Sequence, residues 1–193
     1  MPLFRNDYSE GAHPHILDAL VRTNLETTCG YGCDDHCARA AQTVRARFAC
    51  PNADVHFMVG GTITNTTVIA AALRPWECVI AAQTGHINVH ETGAIESSGH
   101  KICSVPTPDG KLTPALVRSV MTEHENGQNE HMVAPRMVYI SNATELGTLY
   151  TKAELSALHI VCRELGLYLF VDGARLGYGL SARGNDVTMQ DLA

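Results

Sequence analysis

The sequence predicts an α/β fold in which a mainly parallel sheet is flanked by helices. Short apolar runs alternate along the chain with longer amphipathic segments, and these runs are too apolar to face water on either side. The 193 residues, 45% of them hydrophobic and 18% charged, can bury one sizeable core. In such an open sheet, ligands bind beyond the carboxyl ends of the strands, so polar residues that follow each apolar run are the candidates for function.

Two helices are predicted ahead of the sheet, over residues 14–23 and 34–48. The predicted strands and the helices that follow them are 55–59 with 64–73, 78–82 with roughly 90–97, 102–105 with 113–124, and 137–141 with 152–165, before a last strand at 167–171. Two of the helix starts have further support. The helix 113–124 begins with a cap followed by proline at Thr113-Pro114, and the helix 152–165 begins with capping-box spacing between Thr151 and Glu154. The polar stretch 124–135 is predicted to be a surface loop.

Charge and cysteine content bear on partners and compartment. The formal net charge of −6, without long runs of one sign, provides no basic surface for a phosphate backbone, so nucleic acid is not an expected partner. No segment approaches the ~20 apolar residues of a membrane span, and the first residues lack the apolar stretch of a signal peptide. Seven cysteines, an odd number, indicate free thiols in a reducing compartment. We therefore expect a cytoplasmic protein that makes no use of a membrane.

The first candidate for chemistry is the turn Gly60-Gly61-Thr62, which leads into the predicted helix 64–73. Two glycines let the backbone approach a ligand closely, and a helix start offers unpaired N–H groups and the positive end of a dipole. The turn therefore suits a phosphate group, although an ordinary glycine turn with a helix cap has the same composition. It matches neither GxGxxG nor GxxxxGK[ST], which disfavours a dinucleotide or a nucleoside triphosphate.

Two more candidates follow predicted strands. His86 comes after the strand 78–82, where an imidazole can stack on a flat ring or move protons, or simply make one loop hydrogen bond. Asp172 comes directly after the last strand, where a carboxylate requires a partner that offsets its desolvation. A protonated pyridine nitrogen meets this requirement. A salt bridge to Arg175, or a role as the cap of the next helix, meets it as well.

Together these residues resemble the threonine aldolase and β-eliminating lyase family of fold-type I pyridoxal-phosphate (PLP) enzymes. The matching segments, in order from Phe4 to the end of the chain, are Arg5-Asn6-Asp7, Tyr31-Gly32-Cys33-Asp34, Gly61-Thr62 with Asn65, His86 with Glu91, Thr144-Glu145-Leu146-Gly147 and Asp172-Gly173-Ala174-Arg175. The resemblance implies an incomplete fold-type I large domain. It divides into an N-terminal helical segment over residues 1–50 and a partial PLP-binding domain over residues 51–193, with the C-terminal small domain absent.

The resemblance also implies a role for each candidate. Gly61 and Thr62 would bind the cofactor phosphate, and His86 would stack on the pyridine ring and take part in proton transfer. Asp172 would pair with the ring nitrogen and keep it protonated, so that PLP acts as an electron sink. Arg175 would hold the substrate carboxylate, a task suited to a planar guanidinium.

The sequence departs from the family's pattern at three places. Glu145 stands where well-known threonine aldolases carry a histidine near the substrate, which leaves the substrate's side chain open. Asn6 stands where those enzymes commonly carry a serine near the substrate carboxylate, and its amide still donates a hydrogen bond. The family's Schiff-base lysine comes a few tens of residues after the Asp-Gly-Ala-Arg segment, whereas this chain ends at Ala193. Its lysines are Lys101, Lys111 and Lys152, and none occupies the matching position.

The expected function is that of a PLP-dependent carbon–carbon lyase similar to low-specificity L-threonine aldolase. Such an enzyme cleaves β-hydroxy amino acids to glycine and an aldehyde, or eliminates a β-substituent. Without the Schiff-base lysine, this chain alone is expected to be inactive, as a fragment or as half of a split enzyme. Two alternatives stay open: an aminotransferase or cysteine-desulfurase-like enzyme, and a truncated domain that binds cofactor or a partner without catalysis.

The expected partners are a small amino-acid substrate and either a second copy of the chain or a complementing C-terminal chain. Sites of this fold type are usually shared between subunits, and Tyr31 and Asp34 are expected to reach a neighbouring site. No metal is expected. Two candidate clusters occur in the sequence. The first lacks a further ligand and consists of His124-Glu125 with Glu130-His131. The second lacks the CxxC spacing of zinc sites and consists of Cys29, Cys33, His36 and Cys37.

Overall fold

The computed structural model describes residues 6–126 and 129–193. Its sheet has four strands in the order β2-β1-β3-β4, namely β1 Glu77–Ala82, β2 Lys101–Val105, β3 Ala134–Ser141 and β4 Tyr168–Asp172. All three pairings are parallel, which confirms the predicted sheet. Because the strands run in one direction, their carboxyl ends meet at a single edge.

The helices of the described residues are α1 Pro14–Thr23, α2 Asp35–Arg47, α3 Gly61–Ala72, α4 His86–Val89, α5 Ala94–Ser97, α6 Pro114–Asn126, α7 Lys152–Glu164 and α8 Leu176–Ser181, with 3-10 turns at Asn129–His131 and Met189–Leu192. The start of α7 has the predicted capping box: the Thr151 hydroxyl accepts from the Glu154 N–H, and the Glu154 carboxylate accepts from the Thr151 N–H. Within the described ranges, no helix is both long enough and apolar enough to cross a bilayer.

The core lies on both faces of the sheet. One cluster packs α7 and α6 against one face and is centred on Ile80, Val138, Leu158 and Val117. The other packs α3, α4 and α5 against the opposite face and includes Ile69, Val79, Ile87, Ile95 and Tyr139. The two central strands β1 and β3 are therefore buried from both sides, as their continuous apolar runs predict.

The predicted strand at residues 55–59 is wrong. In the structure this segment is an irregular connection into α3, and its apolar side chains are largely exposed, with Val59 at 99%. An apolar run forms a strand only where a neighbouring strand completes its backbone hydrogen bonds. The two edge strands of the sheet are β2 and β4, and residues 55–59 pair with neither.

Two other predicted boundaries also need correction. The predicted helix 90–97 is replaced by the short helices α4 and α5, because Thr92 and Gly93 adopt positive φ angles of 51° and 77° that interrupt a right-handed helix. The predicted loop 124–135 is shorter at both ends: α6 continues to Asn126, and β3 begins at Ala134, which pairs with Glu77 of β1. Residues 127–128 of that loop lie outside the described residues.

Candidate functional site

A cavity of about 400 Å³ opens at the carboxyl edge of the sheet. It is lined by six of the seven residues predicted to contact the cofactor or the substrate, namely Gly61, Thr62, His86, Glu145, Asp172 and Arg175. The seventh, Asn6, does not line it. Asn6 is exposed, and its side-chain oxygen accepts from the Tyr8 N–H at 3.2 Å and from the Ser9 hydroxyl at 2.6 Å. Strand order thus brings together residues that are far apart in the chain.

Asp172 ends β4, and three donors hold its carboxylate. The Tyr139 hydroxyl donates to Oδ2 at 2.6 Å, and the Asn65 amide donates to the same oxygen at 3.2 Å. The Ala174 N–H donates to Oδ1 at 2.9 Å. All three donors are uncharged. Among the described residues, therefore, no cation donates a hydrogen bond to this half-buried carboxylate.

Tyr139 is the donor that sequence reasoning missed. It is 1% exposed and packs edge-on against Phe170, with ring centroids 5.5 Å apart. Burial, together with the charge of Asp172 and its hydrogen bond, raises the pKa of the phenol above its ordinary range. The phenol therefore stays protonated and acts as a hydrogen-bond donor. The sequence signal that could have identified Tyr139 is an aromatic residue with a polar end near the end of an apolar strand.

His86 is the first residue of α4, and its ring is tied to a buried carboxylate. Nδ1 of His86 lies 2.7 Å from Oε1 of Glu91, whose side chain is 0% exposed. Because an ionised carboxylate only accepts hydrogen bonds, we infer that Nδ1 carries the hydrogen and that Nε2 is the free ring nitrogen. The His86 side chain is 36% exposed, which leaves the ring accessible from the cavity.

Asn65, on the first turns of α3, connects His86 to Asp172. Its amide nitrogen donates to Oε1 of Glu91 at 2.7 Å and to Oδ2 of Asp172 at 3.2 Å. The residue is 3% exposed, and its hydrogen bond to Glu91 is buried, whereas its hydrogen bond to Asp172 is partly buried. Asn65 lies four residues after Gly61, and this one-turn spacing places both on the same face of the helix. A single amide thereby fixes the spacing between the imidazole and the carboxylate at the strand end.

Glu145 closes the cavity on another side. Its Oε1 accepts from the main-chain N–H of His86 at 2.9 Å and from the Ser141 hydroxyl at 2.6 Å. The turn that carries it closes when the Gly147 N–H donates to the Thr144 carbonyl at 2.9 Å, with Gly147 at φ 79°, a conformation that favours glycine. The carboxylate of Glu145 is therefore held in place in the cavity wall by two donors.

Arg175 pairs with Asp7 rather than with Asp172. Its Nε donates to Oδ2 of Asp7 at 2.7 Å and its Nη2 to Oδ1 at 3.2 Å, a bidentate geometry. The hydrogen bond from Arg175 lowers the pKa of Asp7, and the same bond raises the pKa of Arg175. The side chains are 36% and 39% exposed, so water screens the pair. Arg5, from the same sequence segment as Asp7, lies outside the described residues.

The start of α3 is the part of the cavity that suits an anion. Gly60 caps the helix without any side-chain hydrogen bond, and the first N–H groups of a helix have no acceptor within it. A Cβ added at Gly60 or Gly61 would meet no heavy atom within 4 Å, so the backbone is open to a ligand. The 12-residue helix adds its positive dipole end at this point.

The three lysines lie away from this cavity in the part of the chain that the structure describes. Nζ of Lys111 donates to Glu154 at 2.6 Å and to the Leu149 carbonyl at 3.3 Å. Nζ of Lys152 lies 2.5 Å from Asp191. Lys101 is exposed at the start of β2. None of them lines the cavity, as expected from their positions in the sequence.

Comparisons with known proteins show which family this chain is similar to. Residues 4–187 match a family model described as beta-eliminating lyase. The chain is 37% identical over 174 residues to the low specificity L-threonine aldolase of Pseudomonas aeruginosa, an alignment that covers 89% of this chain and 49% of the relative. It superposes on the solved threonine aldolase of Leishmania major with a TM-score of 0.93 and 55% identity, covering 97% of this chain and 54% of that one.

A more distant solved structure shows the fold alone. The PLP-bound C-S lyase of Staphylococcus hominis is 13% identical, with a TM-score of 0.56 over 84% of this chain and 41% of that one. The chain spans about half the length of the curated relatives it matches.

Proposed function

Because the chain belongs to the beta-eliminating lyase family, we propose that its cavity binds PLP and that the protein is a lyase acting on β-hydroxy amino acids. The products would be glycine and an aldehyde. One observation carries the proposal: a carboxylate whose hydrogen-bond donors among the described residues are all uncharged, an open helix start and an accessible imidazole line one cavity. Relatives named threonine aldolase support the choice of reaction.

The residues present fit the chemical parts of PLP. Asp172 offers a carboxylate that a pyridinium N–H would meet, and its three donors hold it in place. Gly61 and Thr62 offer backbone N–H groups and a hydroxyl to a phosphate at the start of α3. His86 offers a flat ring whose orientation is set by Glu91. A dinucleotide would instead require the glycine pattern that this sequence lacks.

PLP, when bound, supplies an electron sink for the charge that develops at Cα of the substrate. The contribution of the chain is to hold and orient the reactants. Asp172 would keep a proton on the ring nitrogen, and Nε2 of His86, free of hydrogen, would accept a proton inside the cavity. Glu145 presents a carboxylate that would accept a hydrogen bond from the substrate's hydroxyl.

Arg175 would bind the substrate carboxylate in this proposal. The guanidinium fork now holds Asp7 by Nε and Nη2, so the carboxylate of a substrate would either use the remaining N–H groups or replace Asp7. The exposure of both partners makes this exchange inexpensive, because each is already partly solvated. Asn6 is exposed and does not line the cavity in this structure, and its role as a substrate ligand stays a prediction.

A second copy of the chain is the partner that we propose. Helix α1 has no buried residue, and its apolar side chains Ile16, Leu17, Leu20 and Val21 are 51–77% exposed. An apolar helix face of this size indicates a surface that another protein covers. Sedimentation analysis of the wild type and of Leu20→Glu tests this: a wild-type dimer or tetramer that dissociates on substitution supports the proposal, and a wild-type monomer contradicts it.

The reaction is tested on the protein at the length at which its native host makes it, as established by intact mass. With PLP added, we expect glycine and the matching aldehyde from threonine or a phenylserine, and loss of both products in Asp172→Ala. Transfer of the amino group to a keto acid, without glycine release, would show that the protein is an aminotransferase instead.

A further inference from the structure

Two cysteines on neighbouring strands lie in contact, and neither lines the proposed cofactor site. The sulfurs of Cys78 on β1 and Cys103 on β2 are 3.2 Å apart. Cys78 is opposite Lys101 and Cys103 is opposite Ile80, so the two cysteines are diagonal neighbours in the parallel pair. A disulfide has a sulfur separation of about 2.05 Å, so bond formation requires the sulfurs to approach by roughly 1 Å.

The two thiols differ in access. Cys103 is half-buried and lines a cavity of about 350 Å³, whose wall also includes Glu123 and His124 of α6. Cys78 is 0% exposed and is not part of that wall. A small molecule that enters this cavity therefore meets Cys103 first, with the second thiol directly behind it.

The two thiols also differ in reactivity. The hydrogen bond from the Cys78 thiol, supported by the charge of Lys101, lowers the pKa of Cys103. The same contact and burial raise the pKa of Cys78. Because the thiolate is the nucleophile, Cys103 is the sulfur that reacts first. Cys162 provides an internal comparison, since burial raises its pKa to about 11.

We propose that Cys78 and Cys103 are an oxidisable thiol pair, which a small hydroperoxide converts to a disulfide that links β1 to β2. The Cys103 sulfur attacks one peroxide oxygen, the O–O bond breaks, and water or an alcohol leaves with the thiol proton. The Cys78 sulfur then displaces the hydroxyl group from the resulting sulfenic acid, and water leaves with the proton of Cys78. The two thiols together lose two electrons, which reduce the O–O bond.

The linkage would join the strand that leads to the imidazole of the candidate active site. β1 ends at Ala82, and Gly85 precedes His86 at the start of α4. The proposal itself depends only on the two strands and the second cavity, so it stands or falls independently of the proposed function.

The test is a peptide map of the folded chain after brief treatment with hydrogen peroxide. Remaining thiols are alkylated, the chain is digested without reductant, and peptides are identified by mass spectrometry. We expect a disulfide between Cys78 and Cys103, formed at least tenfold faster than in the urea-unfolded chain. Cys78→Ser should leave Cys103 as a sulfenic acid that dimedone traps, whereas the matched control Cys162→Ser should keep the linkage.

Two results would overturn the proposal. One is a Cys103 that oxidises to the sulfinic acid while Cys78 remains alkylatable after unfolding. The other is a folded chain in which exposed thiols such as Cys29 and Cys33 form disulfides and the pair on the sheet does not. If the serine variant fails to fold, the comparison of folded and unfolded wild-type chains still decides between these outcomes.

Discussion

Oε1 of Glu91 lies 2.7 Å from Nδ1 of His86 on a side chain that is 0% exposed. A buried carboxylate is costly unless donors satisfy it, and Asn65 is the second donor to the same oxygen. The other oxygen, Oε2, has no hydrogen-bond partner among the described residues. The imidazole and the amide are therefore the groups that offset the burial of this charge, and the carboxylate in return fixes the orientation of the ring.

The first prediction concerns the tautomer of His86. We expect the neutral ring to carry its hydrogen on Nδ1, because Glu91 can only accept, and to leave Nε2 bare toward the cavity. Nitrogen-15 NMR of the histidine side chains distinguishes the two ring nitrogens. In Glu91→Leu, Nδ1 loses its acceptor, and the His86 ring should become a mixture of tautomers while His90 is unchanged. A wild-type ring with hydrogen on Nε2 would contradict the inferred geometry.

The second prediction concerns Asn65, which donates to two carboxylates. Asn65→Ala removes one of the two donors to Glu91 Oε1 and one of the two donors to Asp172 Oδ2, and we expect it to lower the free energy of unfolding by about 1–3 kcal/mol, because each carboxylate oxygen then keeps a single donor. Urea denaturation measures this value. Thr67→Ala, at an exposed position of the same helix, is the matched control and should stay within about 0.5 kcal/mol of the wild type. Equal free energies of unfolding for the two variants would show that the hydrogen bonds from Asn65 to Glu91 and Asp172 do not stabilise the fold.

The third prediction concerns alkaline pH. Burial raises the pKa of Tyr139 and of Tyr150 above the value of about 10 that an unfolded tyrosine has. The unfolded chain therefore releases these protons first, so the stability they contribute is complete below about pH 10 and declines as the pH rises further. Absorbance at 295 nm should show that these two phenols ionise last, together with unfolding. Tyr139→Phe should remove part of that late change; an unaltered titration curve would argue against the assignment.

The fourth prediction concerns acid pH and the pair of Arg175 with Asp7. The hydrogen bond from Arg175 lowers the pKa of Asp7, so the pair stabilises the chain above the unfolded value of about 3.9 and is lost as the pH falls through the lowered value. Carbon-13 NMR of the carboxylates should give Asp7 a midpoint below 3.9, the unfolded reference value. Arg175→Gln should move that midpoint upward. The same midpoint in both proteins would mean that the pair does not form in solution.

The centre of the sheet could be predicted from the sequence because the central strands β1 and β3 are buried from both sides. β1 and β2 were each placed within one residue of their observed starts, since continuous apolar runs such as 78–82 have no other stable environment. The segment 55–59 has a similar composition, but the prediction of a strand there is wrong, because hydrophobicity does not specify whether a neighbouring strand is available. The prediction of one helix over 90–97 is wrong because periodicity does not indicate the backbone conformation of single residues such as Gly93.

The location of the candidate site could be predicted from the sequence, but the contacts between its residues could not. Asp172 and His86 were identifiable because they follow strands whose carboxyl ends share one edge. The bridge from Asn65 to Asp172 joins residues 107 positions apart, and no local pattern specifies such a contact. For the same reason, the partner of Arg175 could not be chosen: Asp172 is the nearer carboxylate in sequence, whereas Asp7, at a separation of 168, is the partner in the fold.

We propose that the carboxylate of Asp172 neutralises the ring nitrogen of PLP, and direct titration of the chain with PLP tests this role. We expect reversible binding by the wild type, followed by absorbance and dialysis. Asp172→Asn should weaken the affinity roughly tenfold to a hundredfold, the effect of removing a charged hydrogen bond worth about 1.5–3 kcal/mol. Asp18→Asn, at an exposed position of α1, should bind as the wild type does. Equal affinity of Asp172→Asn and wild type, or no binding by the folded wild type, would mean that Asp172 does not pair with the ring nitrogen of PLP.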